Sequence, residues 1–217
     1  MLMDIHIHTK PVSYCSEIDP VEMIKRAKAM GLDGVCITEH DAIWSREEIE
    51  KLSSENNFPV FRGMEVNTDC GHILAFGVED YIPGIWRAET LRKVVDDVGG
   101  VLIAAHPFRR PWYAVRLRGE YGLSITVEEA SEEKVFRLVH GVEVLNGERP
   151  EIENSFAAEV TEATNLFATG GSDAHNLHAV GRYVTNFCNH IVTEEDLIKE
   201  LKAGNCQAEV YRASSEF

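Results

Sequence analysis

The chain lacks a CxxC pair, a linker rich in proline, glycine or serine, and any apolar run near the roughly 20 residues a membrane span needs. Its five cysteines, Cys15, Cys36, Cys70, Cys188 and Cys206, are odd in number and scattered, which argues against a disulfide framework and against a thiolate zinc knuckle. The first residues show neither a basic n-region nor the long apolar stretch of a secretory signal. These absences point to a cytoplasmic protein with reduced thiols and no membrane partner. Basic residues are also scarce: 21 Lys and Arg stand against 36 Asp and Glu, a formal charge of −15. That balance disfavours long nucleic acid as a partner, because no broad basic surface is available. Bound cations would offset part of the excess. No GxGxxG follows the first strand-like segment, which weighs against a dinucleotide-binding fold.

What is present is enough for a core. With 217 residues and 44% apolar content, residues 1–217 read as one domain. Short apolar runs alternate with amphipathic helices. DIHIH has the period of two of a strand, and DPVEMIKRAKAMG reads as a helix with Asp19 as N-cap, Pro20 in the first turn and Gly31 as the stop. GVCIT, PVFRGMEV, HILAFGV, VLIAAH, GVEVLN, NLFATGGSD, RYVTNF and CQAEVY read as further strands. SREEIEKLSSE, RAETLRKVVDDVGG, VEEASEEKVFRLV, EIENSFAAEVTEAT and TEEDLIKELKAG read as helices, and residues 107–126 as irregular. The alternation predicts a mainly parallel sheet, and about seven units favour a TIM-like (β/α)7 barrel over an open sheet. A barrel makes a demand on the sequence: functional residues should sit at the carboxyl ends of the strands.

They do. His6 and His8 end the first strand, with Glu39, His40 and Asp41 at the end of the second and Glu65 at the end of the third. His72 opens the hairpin partner of the third strand, and His106 ends VLIAAH. Glu143 and Asn146 lie in or after GVEVLN, and Asp173 and His175 follow NLFATGGS. Residues two apart in a strand point the same way, so His6 and His8 can chelate one ion together. Imidazole with carboxylate and no thiolate suits Zn, Mn or Fe, and a shared Glu65 can bridge two ions. Bridged ions about 3.5–4 Å apart acidify a shared water and clamp phosphoryl oxygens. The residue types therefore point to a multi-metal hydrolase.

The ordered set MDIHIHT, GLDGVCITEHD, GMEV with a later GHIL, IAAHPFR, GVEVLNG and GGSDAH resembles the PHP family, named for polymerase and histidinol phosphatase, over residues 3–187. The resemblance implies a distorted (β/α)7 barrel with two or three divalent ions that hydrolyses phosphomonoesters or, in some branches, nucleic-acid phosphodiesters. By motif, His6, His8, Glu65 and Asp173 would hold the first ion, and Glu65, His106 and His72 the second. His40 and His175 would hold a third ion or contact the phosphate and shuttle a proton. The resemblance also implies metal-bound hydroxide as nucleophile, with a third-site water, Asp173, His40 or His175 protonating the leaving group.

Two departures stand out. The family's SDG after the second histidine is replaced by HTKPVSYCSEIDP, so two ions are expected rather than three unless Glu17 substitutes as a ligand. TEHD replaces TDH, which makes Glu39 an orienting group for a ligand. An anionic substrate also needs fixed positive charge, and Arg109 and Arg182 are the candidates, with Arg110 either a contact or a surface residue. Trp44, Trp112 and Tyr113 suit packing or an aromatic lid, and His140, His178 and His190 are expected outside the site. The expected activity is hydrolysis of a small phosphorylated substrate. A nuclease or nucleotide-directed phosphodiesterase is the alternative chemistry, and a non-catalytic, metal-stabilised barrel the alternative of another class.

Overall fold

The computed structural model describes residues 1–122 and 124–211. Nine strands form it: β1 (Leu2–Ile7), β2 (Gly34–His40), β3 (Val60–Thr68), β4 (Gly71–Phe76), β5 (Val101–Ala104), β6 (Gly141–Asn146), β7 (Phe167–Gly171), β8 (Tyr183–Phe187) and β9 (Cys206–Val210). The helices are α1 (Pro20–Met30), α2 (Arg46–Asn56), α3 (Ala88–Asp97), α4 (Pro111–Leu117), α5 (Val127–Ser131), α6 (Glu151–Thr164) and α7 (Glu194–Lys202). The start of α1 is fixed by Asp19, whose carboxylate accepts from the amides of Val21 and Glu22, and Gly31 ends the helix at φ 80°.

The strands make one sheet in the order β7-β6-β5-β4-β3-β2-β1-β8-β9. Parallel and antiparallel ladders are evenly divided, which corrects the expectation of a mainly parallel sheet. β1, β2 and β3 run together, as do β5, β6 and β7, whereas β4 opposes both its neighbours and β8 opposes β1 and β9. The cause is local: only Asp69 and Cys70 separate β3 from β4, too few for a crossover. One result matters for function. Because β4 runs backward, His72 near its start lies at the same end of the sheet as the finish of β3.

The sheet curls into a nearly closed barrel. Its seam is short: Asp173 N donates to His6 O at 2.8 Å and His8 N donates to Ala174 O at 3.1 Å, and Thr185 Oγ1 bridges to Gly170. Gly171 permits the approach, since a Cβ there would stand 2.5 Å from His6 Cβ. Steps of two from His72 lead to Leu74 and Phe76, and backward from Glu65 to Gly63 and Phe61, so these residues share the barrel's inner face with the site. With Met3, Ile5, Cys36 and Ile103 they form a buried apolar plug. Helices α1 and α2 cover one flank and α3 to α6 the other.

Two segments differ from expectation. Within 107–126 there is a helix, α4, begun by Pro111 in its first turn. VEEASEEKVFRLV breaks into α5 and a 3-10 turn at Lys134–Arg137. The buried residues explain the break: Ala130, Val135 and Phe136 are five and six apart, a spacing one continuous helix would put on different faces.

Candidate metal centre

Six imidazoles, those of His6, His8, His40, His72, His106 and His175, meet at the carboxyl ends of the strands, each with a ring centroid within 6 Å of another. Two carboxylates stand among them. Glu65 Oε1 is 2.7 Å from His72 Nδ1 and 2.9 Å from His106 Nε2, while Glu65 Oε2 is 2.8 Å from His40 Nδ1 and 3.3 Å from His8 Nε2. Asp173 Oδ1 lies 3.2 Å from His8 Nε2 and 3.5 Å from His6 Nε2. The Nε2 atoms of His6 and His8 are themselves 3.2 Å apart, as their spacing in the strand predicts.

Register and backbone bend bring these groups together. His40 pairs with Glu65 across β2 and β3. His106 and Asp173, each just past a strand, hold left-handed backbone at φ 30° and 53°. Such conformations cost about 1–3 kcal/mol each and persist only where neighbours enforce them. Here the neighbours are visible. Glu143 Oε2 accepts from the His106 amide at 3.0 Å and from Asn146 Nδ2 at 2.9 Å, and Asn146 Nδ2 also reaches Asp173 Oδ2 at 3.3 Å. The carboxylate of Asp4 accepts from the amides of His6, Ser172 and Gly181, tying β1 to the loop that carries Asp173; burial pushes its pKa up to about 6.

Glu143 and Asn146 are the parts of the centre to which the sequence assigns no role. Their signal was a carboxylate inside the apolar run GVEVLN. Glu143 Oε1 accepts from His6 Nδ1 at 2.8 Å, which leaves Nε2 as the nitrogen aimed at Asp173 and Glu65. The Nδ1 of His175 donates to the Asp173 carbonyl at 2.8 Å and so frees its Nε2 likewise. Glu39 orients no imidazole. It accepts from the amide and hydroxyl of Thr9 and from Trp44 Nε1, and so fixes the chain just after His8. Glu17 is exposed and touches His175 only through its own amide, so it does not replace the missing third-site carboxylate. Ser13 stands nearer, its hydroxyl 3.5 Å from His8 Nδ1.

The electrostatics follow from crowding. Burial opposes charge on His6, but Glu143, Asp173 and Glu65 outweigh it and hold the imidazole pKa well above its ordinary value. His8 is raised as well: burial opposes charge there too, and Asp173 and Glu65 overcome it. Burial works against the charge on Glu65 and Asp173, yet the surrounding imidazoles keep both well below the usual carboxylate range. His175 moves the other way, lowered by burial and by His8.

The residues fit divalent metal. Glu65 Oε2 and Asp173 Oδ1 are buried and have no hydrogen-bond partner, although imidazole nitrogens crowd round both. Buried carboxylate oxygens left without a hydrogen-bond partner among imidazole nitrogens are a donor set that a divalent cation suits. Three sets have donor atoms within 4.8 Å of one another: His6, His8, Glu65 and Asp173; His40, Glu65 and His72; and His8, His40 and His175. His106 adjoins the second set through Glu65 Oε1. The first set is buried, whereas the side chains of His40, His72 and His175 are 31%, 25% and 27% exposed and face the opening.

The arginines lie outside this cluster. Arg109 lines a cavity that His72 and His106 also line. Arg182 has Nη1 3.4 Å from the Gly147 carbonyl, on the loop after β6, and its guanidinium lies over the Tyr183 ring. His140 accepts from the Leu102 amide, away from the centre, and His178 and His190 are exposed.

The family model described as PHP-associated matches residues 151–206. An uncharacterized protein of Methanocaldococcus jannaschii is 33% identical over 118 residues, 50% of this chain and 68% of that protein. A two-domain protein from Bacteroides vulgatus containing a predicted PHP-like metal-dependent phosphoesterase is similar in structure, with a TM-score of 0.66 and 17% identity over 97% of this chain and 65% of that one. PsfC from Pseudomonas syringae gives a TM-score of 0.63 and 21% identity over 96% of this chain and 91% of that one. At these identities the two structures speak to the barrel itself. No helix among the described residues is long and apolar enough to cross a membrane.

Proposed function

The chain belongs to the PHP family, and from that premise we propose that it is a metal-dependent phosphoesterase acting on a small phosphomonoester. The observation that carries the reading is the pair of buried carboxylate oxygens, Glu65 Oε2 and Asp173 Oδ1, that lack protein hydrogens among converging imidazoles. His6, His8, Glu65 and Asp173 would hold one ion, and Glu65, His72 and His106 a second, with Zn, Mn or Fe suited to such donors. Two ions are favoured because the third set, His8, His40 and His175, contains no carboxylate and Ser13 stands where one would be needed. Once bound, such ions supply an acidified water and a clamp for phosphoryl oxygens.

The chain's own residues do the rest. Glu143 fixes the His6 tautomer and the His106 backbone, so the ligand atoms are held before any ion arrives. The half-exposed His40 and His175 face the side from which substrate enters. His175 is neutral near physiological pH because burial and His8 lower its pKa, and with Nδ1 donating to the Asp173 carbonyl its Nε2 is free to accept a proton and return it to the leaving oxygen. Arg109 and Arg182 would meet the anionic substrate at the rim. The acidic balance favours a small molecule over long nucleic acid, and the five free thiols fit a reducing, cytoplasmic setting. The test is elemental analysis of chain purified without chelators, followed by phosphate release from small esters and a parallel assay for shortening of labelled oligonucleotides. Two ions per chain with phosphate release is the expected result. Oligonucleotide shortening alone would shift the reading to a nuclease, and metal without turnover of either would leave a structural barrel.

A further inference from the structure

Beside the second ion position lies a cavity of about 320 Å³ whose walls include Asn67, His72, His106, Arg109, Arg110 and Val135. Its floor is partly apolar, with Ala104, Pro107 and Pro111, and no Asp or Glu lines it. In a chain with 36 acidic and 21 basic residues, a cavity with two arginines and no carboxylate is a local reversal of charge. Arg110 is braced there: its Nη2 donates to the Asp69 carbonyl at 3.2 Å. A second hollow of about 210 Å³ shares Arg110, Pro107, Cys70 and Val135 with the first; it has no histidine in its walls, and its own charged groups are Asp69, Glu133 and Lys134. Arg110 therefore stands where the two hollows meet, whereas His72 and His106 line only the first of them.

A phosphoryl group seated at His72 and His106 fills only a fraction of such a volume, so the remainder belongs to the group it leaves. We infer that this cavity is the leaving-group subsite, and that the substrate is a phosphomonoester whose leaving alcohol ends in a second anion, a carboxylate or another phosphate, held by Arg110. The inference rests on the phosphoesterase reading above. The apolar floor suits a short carbon chain between the two ends, and the guanidinium fork suits a planar carboxylate or a phosphate edge. An ammonium at that end would face Arg110 and be disfavoured by like charge.

The test uses the full, metal-loaded chain and a matched series of three-carbon esters: phosphoglycerate, propanediol bisphosphate, glycerol phosphate and aminopropyl phosphate. The expected result is a kcat/KM for an anionic ester about 10- to 100-fold above that of glycerol phosphate, the range one charge-assisted hydrogen bond supplies, with aminopropyl phosphate lowest. Whichever of the first two leads identifies carboxylate or phosphate as the anion. Arg110→Ala should collapse the ratio toward one, and Arg110→Lys should keep part of it. Calorimetric binding of the corresponding phosphonates, which needs no turnover, should show the same order. Turnover of all four esters at one rate, or an equal loss on all four in Arg110→Ala, overturns the inference and leaves the phosphoesterase reading standing. Hydrolysis of none of them, with no phosphate release from a wider ester screen, removes both.

Discussion

Buried charge occurs in two regions of this molecule, and they handle it in opposite ways. Under α2, Arg62 is 1% exposed and meets Glu79 and Glu194, and Arg46 reaches the same two carboxylates. Its guanidinium also donates to the Trp44 carbonyl. One oxygen, Glu194 Oε1, is left over, on a carboxylate whose other oxygen meets both arginines. That region brings its own counter-charge. At the strand ends, Glu65 and Asp173 are surrounded by imidazole nitrogens, and His106 and Asp173 are held in left-handed backbone by their neighbours. The first arrangement supports the fold, and the second is a donor set that could hold a cation. Polarity and burial alone do not separate them, whereas the partners do: guanidinium groups in one, imidazole nitrogens in the other.

The difference can be broken experimentally. Glu65→Ala removes the carboxylate common to two donor sets, so metal content should fall on elemental analysis and phosphate release should drop by at least about 10³-fold, since a catalytic ion is worth several kcal/mol. Arg62→Ala should do the reverse, leaving metal content intact while lowering stability in chemical denaturation. Breaking a buried pair costs about 3–5 kcal/mol, and the lower end is expected because the Glu79 side chain is 62% exposed. Retention of ions in the Glu65 variant, or their loss in the Arg62 variant, would erase the distinction. Glu143→Ala should weaken metal binding about 10- to 100-fold, as loss of a partner to a ligand does, and should do so at both ion positions because Glu143 holds His6 and His106 together. Arg182→Ala should lower kcat/KM for a phosphomonoester by about 10-fold, near the worth of one charged hydrogen bond, without changing metal content.

A last prediction concerns protons. In the ion-free chain the folded His6 pKa is well above the ordinary imidazole value of about 6.5, so its protonation contributes stability that is fully present below about pH 6.5 and lost as pH rises through the folded value. Ion binding needs that nitrogen unprotonated and so releases protons. Thermal midpoints with chelator should therefore fall as pH is raised through that window, while midpoints with added Mn should hold or rise. Parallel curves would show that His6 does not bind the ion.

Much of this was legible in the sequence. The strands read from the sequence as short apolar runs, and the candidate cluster as the His, Glu and Asp residues at the ends of several of them, because a buried strand advertises its polar exceptions. Less legible was anything decided across the barrel. The helix α4 is only seven residues long and has no side-chain cap, so Pro111 was its one local mark. The role of Glu143 depends on His6, 137 positions away, and that of Asn146 on Asp173, 27 away. The exposure of Glu17 depends on how the loop after His8 packs, which its letters do not reveal.

The barrel's seam carries one more implication. His6 and His8 come from the opening residues and Asp173 from the last quarter of the chain, and the same backbone hydrogen bonds that close the barrel set them side by side. Without the segment that follows β7, only part of the first donor set exists. The first donor set is complete only when β1 and the segment after β7 are joined, so an ion held there would act as a clasp on the closed barrel and favour no open one.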